Sequence, residues 1–366
     1  MKNKTVVTGM SGGVDSSVAA YILKEQGYNV IGVTMQIWQD SSVQMREMEG
    51  GCCGLSAVED ARRVAEQLNI PYYVMNFKDE FKKKVINYFI EEYRRGYTPN
   101  PCIACNKYLK WDALLRRAME IGADYIATGH YAHIIKLENG RYTVSESAAG
   151  KKDQTYVLYN LSQYQLMHTL MPDGAYNKEE IRAIAQKAGL NVAHKSESQD
   201  ICFVPDHDYV GFIERETGVK CRMGNFVDED GNVLGIHKGI EHYTIGQRKG
   251  LGLPAKQPYF VKEIRPETRE IVLGDARSVF TNIVYADNIN YMAVEKLTET
   301  RRLKAKIRYS HAGAECEVTP FSNGRLMCRF DEKQRAVTPG QAVVFYDNGY
   351  IFGGGRIIAE NWHSNG

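Results

Sequence analysis

The feature that most constrains this chain lies at its start. The apolar run KTVV (4–7) leads straight into TGMSGGVDSS (8–17) and then into VAAYILKEQ (18–26). A short β-branched run reads as a buried strand, and the helical spacing that follows stops at Gly27. Between them, Gly12 and Gly13 lack a Cβ, so their amides can face an oxyanion without steric cost. Ser11, Ser16 and Ser17 add hydroxyl donors, and the helix beginning near Val14 adds its N-terminal amides and dipole. This order makes a pyrophosphate cradle. It is not a Walker A loop, since no Gly-Lys-Ser/Thr is present, and it is not the GxGxxG of dinucleotide binders.

The strand–helix alternation continues. YNVIGVTMQIW and PYYVMNF read as strands, SAVEDARRVAEQL and EFKKKVINYFIEEYRRG as helices, then DALLRRAMEIG as a helix and DYIATGHYA as a strand. Such alternation predicts an α/β, doubly wound, mostly parallel sheet over residues 1–207, with ligands beyond the carboxyl ends of its strands. Three stretches interrupt it: 39–54, expected to be a mobile loop, GYTPNPCIACN and AHKSESQDICFVPD. From about 222 the texture changes. VDEDGNVLG, RPETREIVLGD, FSNGRLMCRF and YDNGYIFGGG carry strand–turn–strand signals. Residues 208–276 are read as a small linking domain and 277–366 as a β-barrel.

The 366 residues are 43% hydrophobic and 25% charged, which suits a soluble globular protein. No apolar run reaches 18 residues and the N-terminus lacks signal-peptide features, so a cytoplasmic location and no membrane association are expected. Eight cysteines are too few for a disulfide scaffold of this length. Cys105 and Cys202 stand out because each is read as lying in a loop beside polar or charged neighbours, with Asn106, Lys107 and Lys110 following Cys105. A nearby ammonium or helix N-terminus favours the thiolate. Two such thiols can pass sulfur, one carrying a persulfide and the other releasing it by exchange; taken singly, each also suits a buried small residue. Cys52 and Cys53 receive no role, and Cys221, Cys316 and Cys328 look structural.

SGGxDSS resembles the signature of the PP-loop ATP pyrophosphatases, in which the Asp15 carboxylate would help to hold Mg²⁺ against the phosphates of ATP. With TPNPC..CNKYLKW, ATGHYA, KKDQTYVLYNLSQ, ESQDICFV and HYTIGQRKGLGL in order through both halves, the chain resembles the tRNA-specific 2-thiouridylase family. The resemblance implies that O2 of a wobble uridine, in tRNAs for Lys, Glu or Gln, is adenylated with ATP and replaced by sulfur, leaving 2-thiouridine, AMP and pyrophosphate. It implies ATP contacts at Gly9, Met10, Ser11, Gly12, Gly13, Val14, Asp15, Ser16, Met35 and Gly129. Asn100, Pro101 and Cys102 would meet the target base, and His130, Lys152, Asp153, Gln154, Arg308, Tyr309 and Gln341 would contact tRNA. Cys202 would carry the persulfide and Cys105 would be the nucleophile, leaving a Cys105–Cys202 disulfide. The sulfur would come from a cysteine desulfurase or a sulfur-carrier protein, and the enzyme is expected to be a monomer. The alternative is another PP-loop ligase or amidotransferase, which would not need these thiols.

One position departs from the family. Cys102 stands where its best-known members carry an aspartate proposed as an acid–base group. Cys102 is read as a bystander, as an alternative disulfide partner, or as a ligand of an iron–sulfur cluster with Cys105 and Cys202. For RNA contact, RRLKAKIRYS places Arg302, Lys304, Lys306 and Arg308 at alternate positions, with Leu303, Ala305, Ile307 and Tyr309 between. On a strand the cations would share one face for phosphates, or simply a solvated one. Tyr97 or Tyr108 is placed to stack on an unpaired base.

Overall fold

The computed structural model describes residues 4–37, 55–193, 195, 201–254 and 257–359. The expected mobile loop at 39–54, with Cys52 and Cys53, lies outside the described residues. The chain divides into two compact units, one of residues 1–86, 102–207 and 348–351, the other of 87–101, 208–347 and 352–366.

The first unit is built on a parallel sheet. Its strands are β1 (Thr5–Gly9), β2 (Asn29–Gln36), β3 (Tyr72–Asn76), β4 (Tyr125–Ala127) and, after a hairpin of β5 (His133–Lys136) and β6 (Tyr142–Ser145), β7 (Thr169–Leu170). The order is β3-β2-β1-β4-β7, every pairing parallel. The chain runs outward from β1 through β2 and β3, then returns to the other side of β1. The switch point therefore falls between the carboxyl ends of β1 and β4, where such sheets hold ligands. Helix α1 (Val14–Glu25) buries Val18, Ala19, Ala20 and Leu23, while Val6 and Val7 of β1 are fully enclosed. The β5–β6 hairpin turns at Asn139–Gly140, with Gly140 at φ +83°, the left-handed conformation such turns need.

A continuous helical run covers Pro101–Glu120 and is wound more widely over Asn106–Leu114. The sequence reading started this helix at Asp112 and left Cys105 in a loop; the structure corrects both. Pro101 is the first helical residue, where its fixed φ is preorganised for a helix and its missing N–H costs nothing. Trp111, almost fully buried, anchors the run through its indole N–H to Thr169 Oγ1 at 2.8 Å.

In the second unit, helix Asn87–Arg94 meets helix Tyr209–Thr217, with Tyr93 stacked on Tyr209 at 4.8 Å. A small sheet of β8 (Gly224–Val227), β9 (Val233–His237), β10 (Phe260–Arg265) and β11 (Glu270–Gly274) packs around Phe226, Tyr243, Val261 and Ile271. Six antiparallel strands follow: β12 (Phe280–Tyr291), β13 (Arg301–Lys306), β14 (Ala314–Pro320), β15 (Leu326–Arg335), β16 (Ala342–Asp347) and β17 (Tyr350–Ile358). Their order is β12-β15-β14-β13-β16-β17, and β17 pairs back onto β12, closing a barrel with no free edge. Cys316 and Cys328 are buried in it, and burial pushes the Cys328 thiol well up. Burial also pushes the half-buried Cys221 up to about 12. No helix among the described residues is long and apolar enough to cross a membrane.

The segment 87–101, though early in sequence, is tied into this unit by a group of charges around the buried Glu92. Arg356 holds Asp287 through Nε at 3.1 Å and Nη2 at 2.9 Å, and Glu92 through Nη1 at 3.4 Å. Burial raises the Glu92 carboxyl despite Arg356 and Arg95. Arg356→Met leaves the buried Glu92 with Arg95 alone and strips the half-buried Asp287 of this partner. It is therefore expected to cost about 1–3 kcal/mol, and Glu92→Gln distinctly less, checked by thermal and denaturant unfolding.

Candidate active site at the β1–β4 switch point

The glycine turn leaves β1 at the switch point. Met10 N donates to Val33 O at 2.8 Å, and Thr34 Oγ1 donates to Met10 O at 2.6 Å, tying the turn to β2. Gly12 has φ +71°, and a Cβ on it would lie 2.3 Å from Ala57 O of helix α2 (Leu55–Gln67), so only glycine fits. Gly13 is the N-cap of α1 without a side-chain cap. Its carbonyl accepts from Ser16 Oγ at 3.2 Å and Ser17 Oγ at 2.9 Å, while Ser11 N donates to Ser16 Oγ at 3.1 Å. The segment after β4 closes the other side: a Cβ on Gly129 would stand 2.7 Å from both Asp15 C and Ser16 N. Met35, half-buried near the carboxyl end of β2, is level with Met75 of β3. Gly9 to Ser16 and Gly129 thus meet at the switch point, with Met35 near the carboxyl end of the adjoining β2.

Asp15 sits in the first turn of α1, where a carboxylate suits the helix dipole. Its Oδ1 accepts from Tyr131 OH and from Lys178 Nζ, each at 2.7 Å. Lys195 Nζ bonds Gly12 O at 3.1 Å and Asp60 Oδ2 at 2.6 Å. Asp173, in the turn Pro172–Ala175, is fully buried, and neither carboxyl oxygen has a hydrogen-bond partner. Burial and then the charge of Asp15 push its carboxyl well above the ordinary range. The Asp15 carboxylate beside the glycine turn is a hard oxygen donor of the kind Mg²⁺ takes, so it suits that ion.

Sequence reading had missed Tyr131, Lys178, Lys195 and Asp173. Lys178 could have been noticed: it opens a helix (Lys178–Lys187) whose Asn177–Glu180 capping box is plain, and a cation there opposes the helix dipole. No local signal marks Asp173.

Cys102, exposed, and Cys105, half-buried, are three apart on the helix Pro101–Cys105, so they share a face. Asn106 is buried and donates from Nδ2 to Val157 O at 3.0 Å. The ammonium groups of Lys84 and Lys107 lie 5.4 and 5.3 Å from the Tyr108 ring centre, so of the expected cations Lys107 is on that ring, while Lys110 faces His130. Cys202 lies in a turn closed by Val204 N to Ile201 O at 2.9 Å. Its neighbour Phe203 packs edge-on against Phe81 at 5.5 Å. Phe81 and Lys84 belong to the same helical run, 78–86. Both cysteine segments are therefore anchored on one helical stretch of the first unit. Among the described residues no three His, Cys, Asp or Glu side chains are grouped to hold a metal ion, so the iron–sulfur reading of Cys102, Cys105 and Cys202 finds no ligand set.

Several residues expected to touch tRNA also have internal partners. Asp153 accepts from Ser147 N at 3.0 Å and Thr155 N at 3.1 Å. Gln154 Oε1 accepts from Tyr131 N at 3.0 Å, bracing the tyrosine that holds Asp15, while Lys152 is exposed. In the second unit, Gln341 Nε2 donates to Thr98 O at 2.9 Å, just before Asn100. Arg308 Nη1 donates to Arg335 O at 3.0 Å. Tyr309 lies beyond the end of β13 and is 44% exposed, so it leaves the apolar face that alternation had assigned it. The cationic stripe is partly offset by β14, with Arg302 opposite Glu317 and Lys304 opposite Glu315. Arg302 also forms a two-pronged ion pair with Asp331. Cross-strand charge pairing, invisible within one strand, accounts for this.

His130 is buried, with Nδ1 2.8 Å from Thr128 Oγ1 and Nε2 3.4 Å from Lys110 Nζ. An ammonium can only donate, so Nε2 accepts and Nδ1 carries the proton. Burial, then Lys110, holds the imidazole well below its usual range. The unfolded chain takes up a proton below about pH 6.5 and the folded one does not, so folding stability is lost as pH falls from there. The melting temperature is expected to drop from about pH 7 to about pH 5, and less steeply in His130→Gln.

Comparison with known proteins covers the whole chain. Residues 4–206 match a family model described as tRNA methyl transferase HUP domain, 210–275 a tRNA methyl transferase PRC-barrel domain, and 281–357 an aminomethyltransferase β-barrel domain. A tRNA-specific 2-thiouridylase MnmA of Lachnoclostridium phytofermentans is 62% identical over 355 residues, covering 97% of this chain and 99% of the relative. Its counterpart in Clostridium kluyveri is 57% identical over 354 residues, with the same coverage. That of Clostridium perfringens is 56% identical over 357 residues, covering 98% and 99%. With identity this high along the full length of both chains, the protein belongs to the tRNA-specific 2-thiouridylase family.

Proposed function

We propose that this chain thiolates the C2 position of the wobble uridine in tRNA, at the expense of ATP. The observation that carries the reading is the full-length identity to 2-thiouridylases, joined to a glycine turn at the sheet's switch point and two cysteine segments on one helical anchor. In this reading Gly9 to Ser16, Met35 and Gly129 hold ATP, the glycine turn and the start of α1 cradling its phosphates. Mg²⁺ held by Asp15 supplies charge neutralisation there. The uracil O2 attacks the α-phosphorus and pyrophosphate leaves, which makes O2 part of a good leaving group.

The sulfur step uses the thiols. Cys202 takes a sulfur from a persulfide donor, a cysteine desulfurase or a sulfur-carrier protein, as Cys–S–SH. The Cys105 thiolate attacks Cys202 Sγ, forming the Cys105–Cys202 disulfide and expelling hydrosulfide. Hydrosulfide adds at C2, AMP leaves, and an external dithiol returns the disulfide to two thiols. Asn100 to Cys102 would place the base, with Lys152, Arg308 and Tyr309 among the groups meeting tRNA. Asp153, Gln154 and Gln341 have the internal partners described above, so their share in RNA binding includes holding backbone that RNA meets. His130 stays neutral near pH 7 and is suited to hydrogen bonding rather than proton uptake.

The test is incubation with ATP, a persulfide donor and unmodified tRNA, followed by nucleoside mass analysis. Cys202→Ser and Cys105→Ser are expected to abolish 2-thiouridine while tRNA-dependent pyrophosphate release continues; release lost along with thiolation would overturn the assigned roles. A nitrogen-transferring ligase would keep its activity in both variants. Gly129→Ala places a methyl 2.7 Å from Asp15 C. It is expected to weaken ATP binding about tenfold or more and to destabilise the fold by about 1–3 kcal/mol, read by calorimetry and thermal unfolding.

A further inference from the structure

Lys178 bonds Asp15 at 2.7 Å, and its side chain is 10% exposed. A cation that engages Asp15 would drive this ammonium off, because two positive charges in a poorly hydrated place repel strongly. A buried ammonium must then find another oxygen, since leaving it without a partner costs several kcal/mol, of the order of 3–5. The fold holds such an oxygen close by. Asp173 is fully buried, both its carboxyl oxygens lack a hydrogen-bond partner, and its charge is coupled to Asp15 and to Lys178. It stands five residues before Lys178, across the tight turn Pro172–Ala175. That turn is fixed in place: a Cβ on Gly174 would lie 2.1 Å from Ala132 O, beside Tyr131. Buried polar atoms without partners are rare in folded proteins and call for a reason.

We propose that Asp173 is a positioning residue of the nucleotide site, the acceptor that receives the Lys178 ammonium when the cation accompanying ATP takes Asp15. Lys178 thus moves between two carboxyl groups, occupying Asp15 in the nucleotide-free protein and Asp173 in the loaded one. A carboxyl oxygen accepts an N–H in either protonation state, so the exchange needs no proton transfer. Tyr131 keeps its bond to Asp15 throughout and preserves the carboxylate's orientation. The inference rests on the proposed ATP site.

The experiment measures ATP binding to the purified full-length protein by calorimetry, with Mg²⁺ and with EDTA. Asp173→Leu removes the acceptor and is expected to raise the Kd for Mg²⁺·ATP about tenfold while leaving ATP in EDTA unchanged. Asp173→Asn keeps an acceptor oxygen and should stay within about threefold of the parent. In a Lys178→Met background no ammonium needs rehousing, so adding Asp173→Leu should have no further effect. Both Asp173 variants should fold, since each removes a buried carboxyl that lacks partners; melting curves verify this. Equal Mg²⁺·ATP affinity in Asp173→Leu and the parent, or the same loss with Lys178 already replaced, overturns the inference. Failure of the parent protein to bind ATP at all overturns the nucleotide site instead.

Discussion

Everything at the switch point between β1 and β4 depends on backbone passing backbone where no side chain can stand. The segment after β4 approaches the first turn of α1 so closely that a methyl on Gly129 would collide with Asp15 and Ser16, and Gly12 is pressed against Ala57 in the same way. These two approaches bring the loop after β1 and the loop after β4 to one place. They also put Tyr131, two residues after Gly129, within hydrogen-bond reach of Asp15.

A second constraint acts on the sulfur chemistry. The helix Pro101–Cys105 and the turn at Ile201–Val204 lie far apart in the chain. Their segments both rest on the helical run 78–86, one through Tyr108 and Lys84, the other through Phe203 and Phe81. Apolar packing of one aromatic pair and a cation near another ring thus tie both segments to one helical stretch. The segment before Cys102 is held differently, by Gln341 and by the buried Glu92–Arg356–Asp287 group within the second unit. Those contacts give the barrel an internal structural task beside its expected role in meeting RNA.

Much of this was legible locally. The strand–turn–helix at residues 5–25, the alternation that makes a parallel sheet, the small-sheet hairpin at Asp230–Gly231 and the barrel hairpins at Asn-Gly all follow from short-range stereochemistry. The glycine turn itself was legible for the same reason. The helix carrying Cys105 was not, because the prolines of TPNPC suggested an irregular loop, whereas Pro101 at the first helical position starts a helix. The stripe Arg302–Lys304–Lys306 was legible as a pattern, but its partners Glu315, Glu317 and Asp331 belong to other strands. The hairpin at Asn139–Gly140 carried the same turn signal as the barrel hairpins and was overlooked inside an α/β region.

Sequence by itself determined most of the elements, the glycine turn and the family, because each is written in neighbouring residues or in motifs kept in order. Tertiary structure alone decided which charges face one another: Lys178 and Tyr131 on Asp15, Asp173 buried beside them, Lys110 against His130, Arg356 between Glu92 and Asp287. These pairs join residues far apart in the chain. Electrostatic and burial energies depend on distance and on exclusion of water, and neither quantity exists until the chain has folded.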